Sequence, residues 1–578
     1  MATPSLEATM TMPLRVIQQV RPSIWMPLVF LALLVIGTYV VSTIRYHLVL
    51  RQYRAHPVSP HGQKALGVLP TLPLPYMLPF VGHSLGFLMS APGAFWKRLG
   101  KALPAAAGGA CRLMIAGRHD QHVLLTPASM AAVTNNRTLG RHLVSRDVAV
   151  YALGVEIRDA NHSSLRTDKG RTPEEEIFGE HLLRADRTAE LITTFTPELR
   201  SVLTNPAFNI NGSEETSGSE VAREVSLCEW LWPQVFHAST LTIMGRDLLS
   251  MNPTLPADYE AFEEAFAELL WGLPRWLAPR AHRTRDKILA SVEGWLASAL
   301  VATSGEIPDP VKGPAWEPHL GSRVVRAFVR RQLDYGMTPH RMAPSSLGLL
   351  LAVNTNTVVA TLWILMHLVD RTDQDQTLLP RVRAEVDSVP VAADGTPDVK
   401  RLTELPLLQS VYAEVLRLYV DIIILRYLET DLTLPIGHGG DGTPQVQLPK
   451  GGVLHVPTWS VHHDPAAWPG VVPPDEFDAE RFLVPDEKGE MTFSLGSMPG
   501  RWAPYGGGKP MCPGRFFAKQ EIFVTVATLL RMYDFEKVGY LDGKGKRTDK
   551  FPGVKSRLAG GGTLRPDGDH RVRMERRK

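Results

Sequence analysis

The stretch Tyr505-Gly506-Gly507-Gly508-Lys509-Pro510-Met511-Cys512-Pro513-Gly514-Arg515-Phe516-Phe517-Ala518 constrains this chain most. It is a glycine-rich loop ending in one cysteine, with an apolar helical run directly after it (Ile522, Val524, Val526, Leu529, Leu530). Glycines permit tight turns and close approach of a backbone to a flat ligand. A helix starting just after Cys512 points its amide dipoles at the sulfur and favours the thiolate. A thiolate with no second cysteine beside it suits a single strong axial bond to a haem iron. A phosphate loop would need Ser or Thr after the lysine, whereas Lys509 precedes Pro510. Zinc would need three or four ligands, and neither Cys nor His recurs nearby. From the loop alone, a buried structural cysteine after a glycine turn stays open beside the metal thiolate.

Composition narrows the partners. The 578 residues fit several domains or one large helical enzyme, with 44% hydrophobic and 21% charged residues, as in ordinary globular proteins. A net charge of +3 gives no ground for a nucleic-acid partner, and no basic run carries interleaved aromatics. The three cysteines (Cys111, Cys228, Cys512) are far apart and odd in number, which argues for a reducing compartment rather than a disulfide framework.

Ile24 to Ile44 contains no charged residue. At about 1.5 Å per residue it spans roughly 30 Å, the thickness of a bilayer core. The expected organisation is a short tail (1–22), a transmembrane anchor (23–44), a basic and proline-rich hinge (45–82) and a catalytic body (83–578). Arg45, His47, Arg51 and Arg54 follow the span, against Arg15 and Arg21 before it, which places the body on the cytosolic side. The glycosylation triplets at Asn136, Asn161 and Asn211 would then stay unmodified. Amphipathic helical patterns dominate to about residue 430, with a polar surface loop at Asn205–Glu220 and a second break at Pro308–Pro318. Strand-like runs are expected only late, for example Gln445–Leu448 before the turn Pro449-Lys450-Gly451-Gly452. The fold class is mainly α with a small β part.

Two helices carry the remaining signals. The first, Ala343 to Asp370, is nearly uncharged and must be buried on most sides. Its dense polar cluster, Asn354-Thr355-Asn356-Thr357, reads equally as a satisfied internal network or as a site of polar chemistry. The second carries Glu414 and Arg417, three apart on one helix side, beside Leu407, Leu408, Val411, Val415 and Leu418. Buried on such a helix, a bidentate Arg can extend the pair to a third element, and Phe477-Asp478-Ala479-Glu480-Arg481-Phe482 is the candidate.

These pieces, in this order and with the Cys loop last, resemble the cytochrome P-450 superfamily of haem-thiolate monooxygenases. Glu414 and Arg417 match its ExxR pair, and Arg481 matches the arginine of its PERF-type segment. Cys512 matches the axial thiolate, with Gly508 and Gly514 at the family's glycine positions and Tyr505 where Phe is usual. His462-His463-Asp464-Pro465, Trp468-Pro469-Gly470 and the hinge ending Pro79-Phe80-Val81-Gly82-His83 also sit where family members carry similar residues. The segment Ala352 to Trp363 looks like the branch with bile-acid sterol hydroxylases, prostacyclin synthase and similar fungal enzymes of secondary metabolism. The resemblance implies a triangular helical haem domain behind a transmembrane helix, and haem b held by Cys512, Arg426, Tyr505, Gly508 and Gly514. It further implies a brace of Glu414, Arg417 and Arg481, and a distal pocket lined by Thr357 and Asn356. Partners would be an NADPH-cytochrome reductase, dioxygen, the endoplasmic-reticulum membrane and a lipophilic substrate such as a sterol, terpenoid or polyketide.

Two departures stand out. Most members place an acid before the helix threonine, where acid and alcohol relay protons into the dioxygen site. This chain has Asn356, which positions water but has no useful acid–base range. That keeps open an isomerase or dehydratase that rearranges a peroxide without a reductase, beside a non-catalytic membrane haem-binding sensor. Pro510 stands where Arg or His usually meets a haem propionate, and it has no N–H to donate. Arg426 is then the expected propionate cation.

Overall fold

The computed structural model describes residues 22–55, 68–88, 94–115, 120–136, 139, 142–163, 171–205, 223–370, 378–393, 395–436, 445–496, 499–508, 511–555 and 561–577. The N-terminal tail to residue 21, the Asn211 triplet and most of the expected 205–220 loop lie outside the described residues, as do Lys509 and Pro510.

The helices that organise the body are α1 (Pro22–Ala55), α2 (Pro127–Asn135), α3 (Ala185–Thr204), α4 (Leu227–Met244), α5 (Leu255–Leu270), α6 (Pro279–Ala302), α7 (Pro339–Asp370), α8 (Pro406–Tyr419) and α9 (Arg515–Met532). Their boundaries follow local chemistry. Thr126 caps α2 by accepting from the Ser129 N–H, with Pro127 in the first turn. Pro406 opens α8 at a position where its missing N–H costs nothing. Phe195, Phe236, Phe262, Trp295, Trp363, Val411 and Phe523 bring α3 to α9 into one buried core.

At the centre is α7, whose 32 residues are about 48 Å of helix at 1.5 Å per residue. It begins four residues before the expected Ala343 because Pro339 suits a first turn. Trp363 is fully buried, stacks on Tyr419 at 3.7 Å between ring centroids, and donates its indole N–H to Leu564 O at 2.7 Å. It joins α7, α8 and the C-terminal strands.

Eight strands matter: β1 (Leu72–Pro73), β2 (Ala110–Leu113), β3 (Gln121–Leu124), β4 (Val420–Tyr427), β5 (Val453–Pro457), β6 (Tyr533–Asp542), β7 (Gly561–Thr563) and β8 (Pro566–Arg576). One sheet runs in the order β7-β4-β5-β3-β2-β1. In it β5 lies parallel to β3 (Val453 opposite Gln121) and antiparallel to β4 (Val453 opposite Tyr427). A second sheet is built on antiparallel β6 and β8, with an irregularity between Lys537 and Gly539. Gln445–Leu448 is a strand as expected, antiparallel to Leu432–Pro435.

The expectation that strands come only late is corrected by β2 and β3. They are four residues each and almost wholly buried, so the alternation of a half-exposed strand never appears in them. They pair with each other, and the further pairing of β3 with β5, hundreds of residues later, leaves no local trace.

Helix α1 contains the expected anchor and extends beyond it. It continues through Arg45, Arg51 and Arg54, since arginines are good helix formers and cations suit a helix C-terminus. Its most apolar stretch is 6% buried and long enough to cross a membrane. Its last turns come down on the body: Leu50 and Tyr53 are buried, and the Tyr53 hydroxyl donates to Pro70 O at 2.9 Å. Ser42 Oγ donates to Tyr76 O and accepts from Tyr76 N–H.

Trp363→Ala is expected to cost about 3–5 kcal/mol, because it empties a fully enclosed site and orphans Leu564 O. Denaturant titration of the purified protein measures this; a loss below about 1 kcal/mol would remove Trp363 from the joint.

Candidate active site

Glu414 and Arg417 occupy one side of α8, and neither side chain reaches solvent. Arg417 donates from Nε to Glu414 Oε2 at 2.7 Å and from Nη2 to Oε1 at 2.8 Å, a bidentate pair. Its Nη1 donates to His462 O at 2.6 Å and Pro474 O at 2.7 Å, and the guanidinium lies over the Trp468 ring at 5.2 Å. Arg481 Nε donates to Glu414 Oε1 at 3.0 Å, which also accepts from Asp478 N–H at 3.0 Å. The carboxylate and both guanidinium groups are thus supplied from two segments, α8 and the stretch that carries Arg481.

This cluster reaches the Cys loop through His462. Burial first, then the charges of His463 and Arg417, hold its imidazole well below the usual histidine range. The neutral Nε2 accepts from Ala503 N–H at 3.1 Å. Trp502, next to Ala503, donates its indole N–H to Ala413 O on α8 at 3.1 Å. The start of the loop is therefore hung from α8 on both sides of Glu414.

Inside the loop, Cys512 N–H donates to Tyr505 O at 3.0 Å and Arg515 Nη1 donates to Cys512 O at 2.9 Å. Gly514 caps α9, so the helix begins beyond the sulfur as the sequence implies. Gly508 adopts φ +75°, and a Cβ there would stand 2.5 Å from Thr134 O. A Cβ at Gly507 would meet the Thr134 methyl at 2.2 Å. The glycine requirement at these positions thus comes from contact with α2. At Gly514 an added Cβ would meet, among the described residues, only the Cys512 sulfur, at an ordinary 3.9 Å. Tyr505 meets Tyr412 of α8 hydroxyl to hydroxyl; burial first, and the Cys512 charge as well, push both phenols up. Arg426, buried on β4, donates from Nη2 to Gly507 O at 2.9 Å, which brings a cation to the loop.

The polar cluster of α7 separates into four contacts. Asn354 Nδ2 donates to Thr240 Oγ1 on α4 at 3.0 Å. Thr355 Oγ1 meets the Tyr259 hydroxyl of α5 at 2.8 Å. Asn356 Oδ1 accepts from the Thr563 N–H of β7 at 2.8 Å and from its hydroxyl at 3.2 Å. Thr357 Oγ1 donates to Val353 O at 3.1 Å and lies beside the carboxyl of Glu521 on α9. Burial pushes that carboxyl up to about 8 against the smaller opposing effects of the Ser239 and Thr357 hydroxyls. Sequence reading missed Glu521, although one acid in an otherwise apolar helical run is a usable signal.

Among the described residues no group of three or more His, Cys, Asp or Glu side chains is placed to hold a metal ion. A metal at Cys512 would draw one ligand from the protein and its others from a macrocycle, so the donor set fits haem. Cys512 would hold the iron, and Arg426 would meet an acidic substituent.

A family model for cytochrome P450 matches residues 326–546. The chain is 30% identical over 560 residues to the cytochrome P450 monooxygenase efuG of Hormonema carpetanum, covering 90% of this chain and 92% of that protein. It is 34% identical over 384 residues to the cytochrome P450 monooxygenase fsoE of Humicola fuscoatra (61% and 62% covered). Against cholesterol 7-alpha-monooxygenase of Cricetulus griseus it is 27% identical over 350 residues (58% and 63%). The retinoic acid bound cyanobacterial CYP120A1 superposes with a TM-score of 0.62 at 20% identity, over 88% of this chain and all of that one, which shows a common fold.

Glu414→Ala would leave Arg417 and Arg481 as buried, unpaired cations, at about 3–5 kcal/mol for a broken buried pair. The expected result is loss of folded, haem-loaded protein on expression. Wild-type haem content and denaturation midpoint in that variant would contradict the brace.

Proposed function

The chain belongs to the cytochrome P450 family of monooxygenases, and from that premise we propose that it inserts one oxygen atom of dioxygen into a lipophilic small molecule of fungal secondary metabolism. The observation that carries this reading is the placement of Cys512: a lone thiol at the start of α9, in a loop hung from the buried Glu414–Arg417 pair. Haem, the family's cofactor, supplies the activation of dioxygen when bound. The chain's own residues do the rest. Cys512 would hold the iron, Arg426 would neutralise an acidic substituent of the haem, and Thr357 would present its hydroxyl to the dioxygen site. The apolar α1 is the membrane anchor of this reading, with the body on the cytosolic face of the endoplasmic reticulum and an NADPH-cytochrome reductase as electron donor. A substrate of sterol, terpenoid or polyketide type would then partition to the body from the lipid.

Similarity to efuG and fsoE, both fungal monooxygenases, supports oxygen insertion over the rearrangement of a peroxide. The test is turnover of a panel of sterols, terpenoids, polyketides and fatty acids with reductase, NADPH and isotopically labelled dioxygen. The expected result is NADPH-dependent product carrying one labelled oxygen. Turnover of a hydroperoxide without NADPH or reductase would replace this reading with the isomerase. Haem binding with no substrate-dependent NADPH consumption across the panel would replace it with the sensor.

A further inference from the structure

We propose that the junction of α3 with the helices Pro173–His181 and Arg323–Asp334 holds a small monovalent anion of chloride size. The site shares no residue with the Cys loop, α7 or α8, and it stands apart from the monooxygenase reading.

The three elements enclose a small cavity lined by His181, Arg187, Glu190 and Arg323, with apolar walls that include Ala315. It has room for one water-sized group, too little for sulfate, phosphate or an organic acid. Its lining is unbalanced in charge. Arg187 donates from Nη1 to Glu190 Oε1 at 2.9 Å, and Arg323 donates from Nε to Glu190 Oε2 at 2.8 Å. Two guanidinium groups thus share one carboxylate, the only acid that lines the cavity among the described residues. Asp186, on the exposed rim, lies 3.7 Å from Arg187 Nε, beyond hydrogen-bond distance.

A third cation stands behind the wall. Arg326, three residues on from Arg323 and so on the same helix side, is fully buried. It donates to Ser322 O at 3.4 Å, to Ala315 O at 3.2 Å and to Pro314 O, all neutral carbonyls. Among the described residues no carboxylate forms a salt bridge with it, whereas Arg417 has Glu414. The charge of Glu317 favours the cation, but the Glu317 oxygens accept from the N–H groups of His319 and Leu320. Burial brings Arg326 down to about 10, so it is still charged at neutral pH. His181 registers the same excess. Burial first holds its imidazole below the usual histidine range; the charge of Glu180 opposes this, and Arg187, Arg323 and Arg326 add to it. Glu180 itself is bound to Arg184 at 2.9 Å.

The donors complete the match. His181, 4% exposed, has its Nδ1 without a hydrogen-bond partner among the described residues, as do Arg187 Nε and Arg326 Nη1. An arginine N–H only donates, so the occupant must accept. Water accepts but leaves three cations around one lining carboxylate, and buried charge is costly unless it is paired. A halide ion accepts from His181 and Arg187 and also supplies the missing negative charge, with Arg326 adding its field from behind Ala315. It would fasten the polar half of a junction whose apolar half is the contact of Phe178 with Phe328, 5.3 Å between ring centroids.

Two measurements on the haem-loaded protein test this, and neither uses turnover. Crystals grown in sodium gluconate and soaked in sodium bromide should give an anomalous-difference peak between His181 and Arg187. In solution, replacing gluconate by chloride at constant ionic strength should raise the thermal midpoint by about 2–4 °C and then saturate, since gluconate is too large to enter. Arg187→Gln should remove the chloride dependence. If that variant does not fold, Ala315→Leu, which fills the cavity and keeps every cation, should remove it instead. Water rather than bromide in the cavity would overturn the proposal. So would a chloride effect that survives in the folded variant. A bromide peak with no chloride-dependent midpoint would mean an adventitious ion only, and would overturn it too.

Discussion

The buried pair between Glu414 and Arg417 is the interaction on which the rest of the site depends. Two opposite charges with no solvent contact are seldom the cheapest way to fill a helix face, since desolvation offsets much of their attraction. Their value here is in placement. The bidentate geometry fixes the guanidinium, which then gathers carbonyls at His462 and Pro474 that belong to no common strand or helix. Arg481 closes the arrangement from a third segment. An apolar repacking of α8 would fill the same space but would leave those carbonyls unpaired and the Cys loop without its attachment through His462 and Ala503.

Helix α7 works differently. Its length and near absence of charge make it the axis of the core, and its four consecutive polar residues point to four different neighbours. Successive helical residues lie about 100° apart, so a run of four covers every side of the helix. The cluster is therefore neither a single network nor a single site. Asn354 and Thr355 fasten α4 and α5, Asn356 fastens β7, and Thr357 stands beside an acid, Glu521, that pairs with no cation among the described residues.

How much of this was legible in the sequence follows from how local each feature is. The Cys loop, the i, i+3 pair of α8 and the uncharged stretch of α7 are each contained within a few turns of chain, so spacing and composition reveal them. Strand β3, through its pairing with β5, and the partner of Asn356 depend on contacts across hundreds of residues, which leave no periodicity behind. Glu521 is an intermediate case: the acid is visible within its apolar run, but its facing hydroxyls come from α4 and α7. Helix α1 runs on past the expected anchor because the arginines that close the apolar stretch are also good helix formers, so the loss of hydrophobicity does not end the helix.

The central claim is that one protein sulfur, placed by the α8 brace, binds the metal. Resonance Raman spectroscopy of the haem-loaded protein tests it most directly. In a Cys111→Ala/Cys228→Ala background Cys512 is the only cysteine, and incorporation of heavy-isotope sulfur into it labels that atom among the thiols. The account predicts an iron–sulfur stretching band that moves to lower frequency on labelling. A haem spectrum with no sulfur-sensitive band would contradict ligation by Cys512.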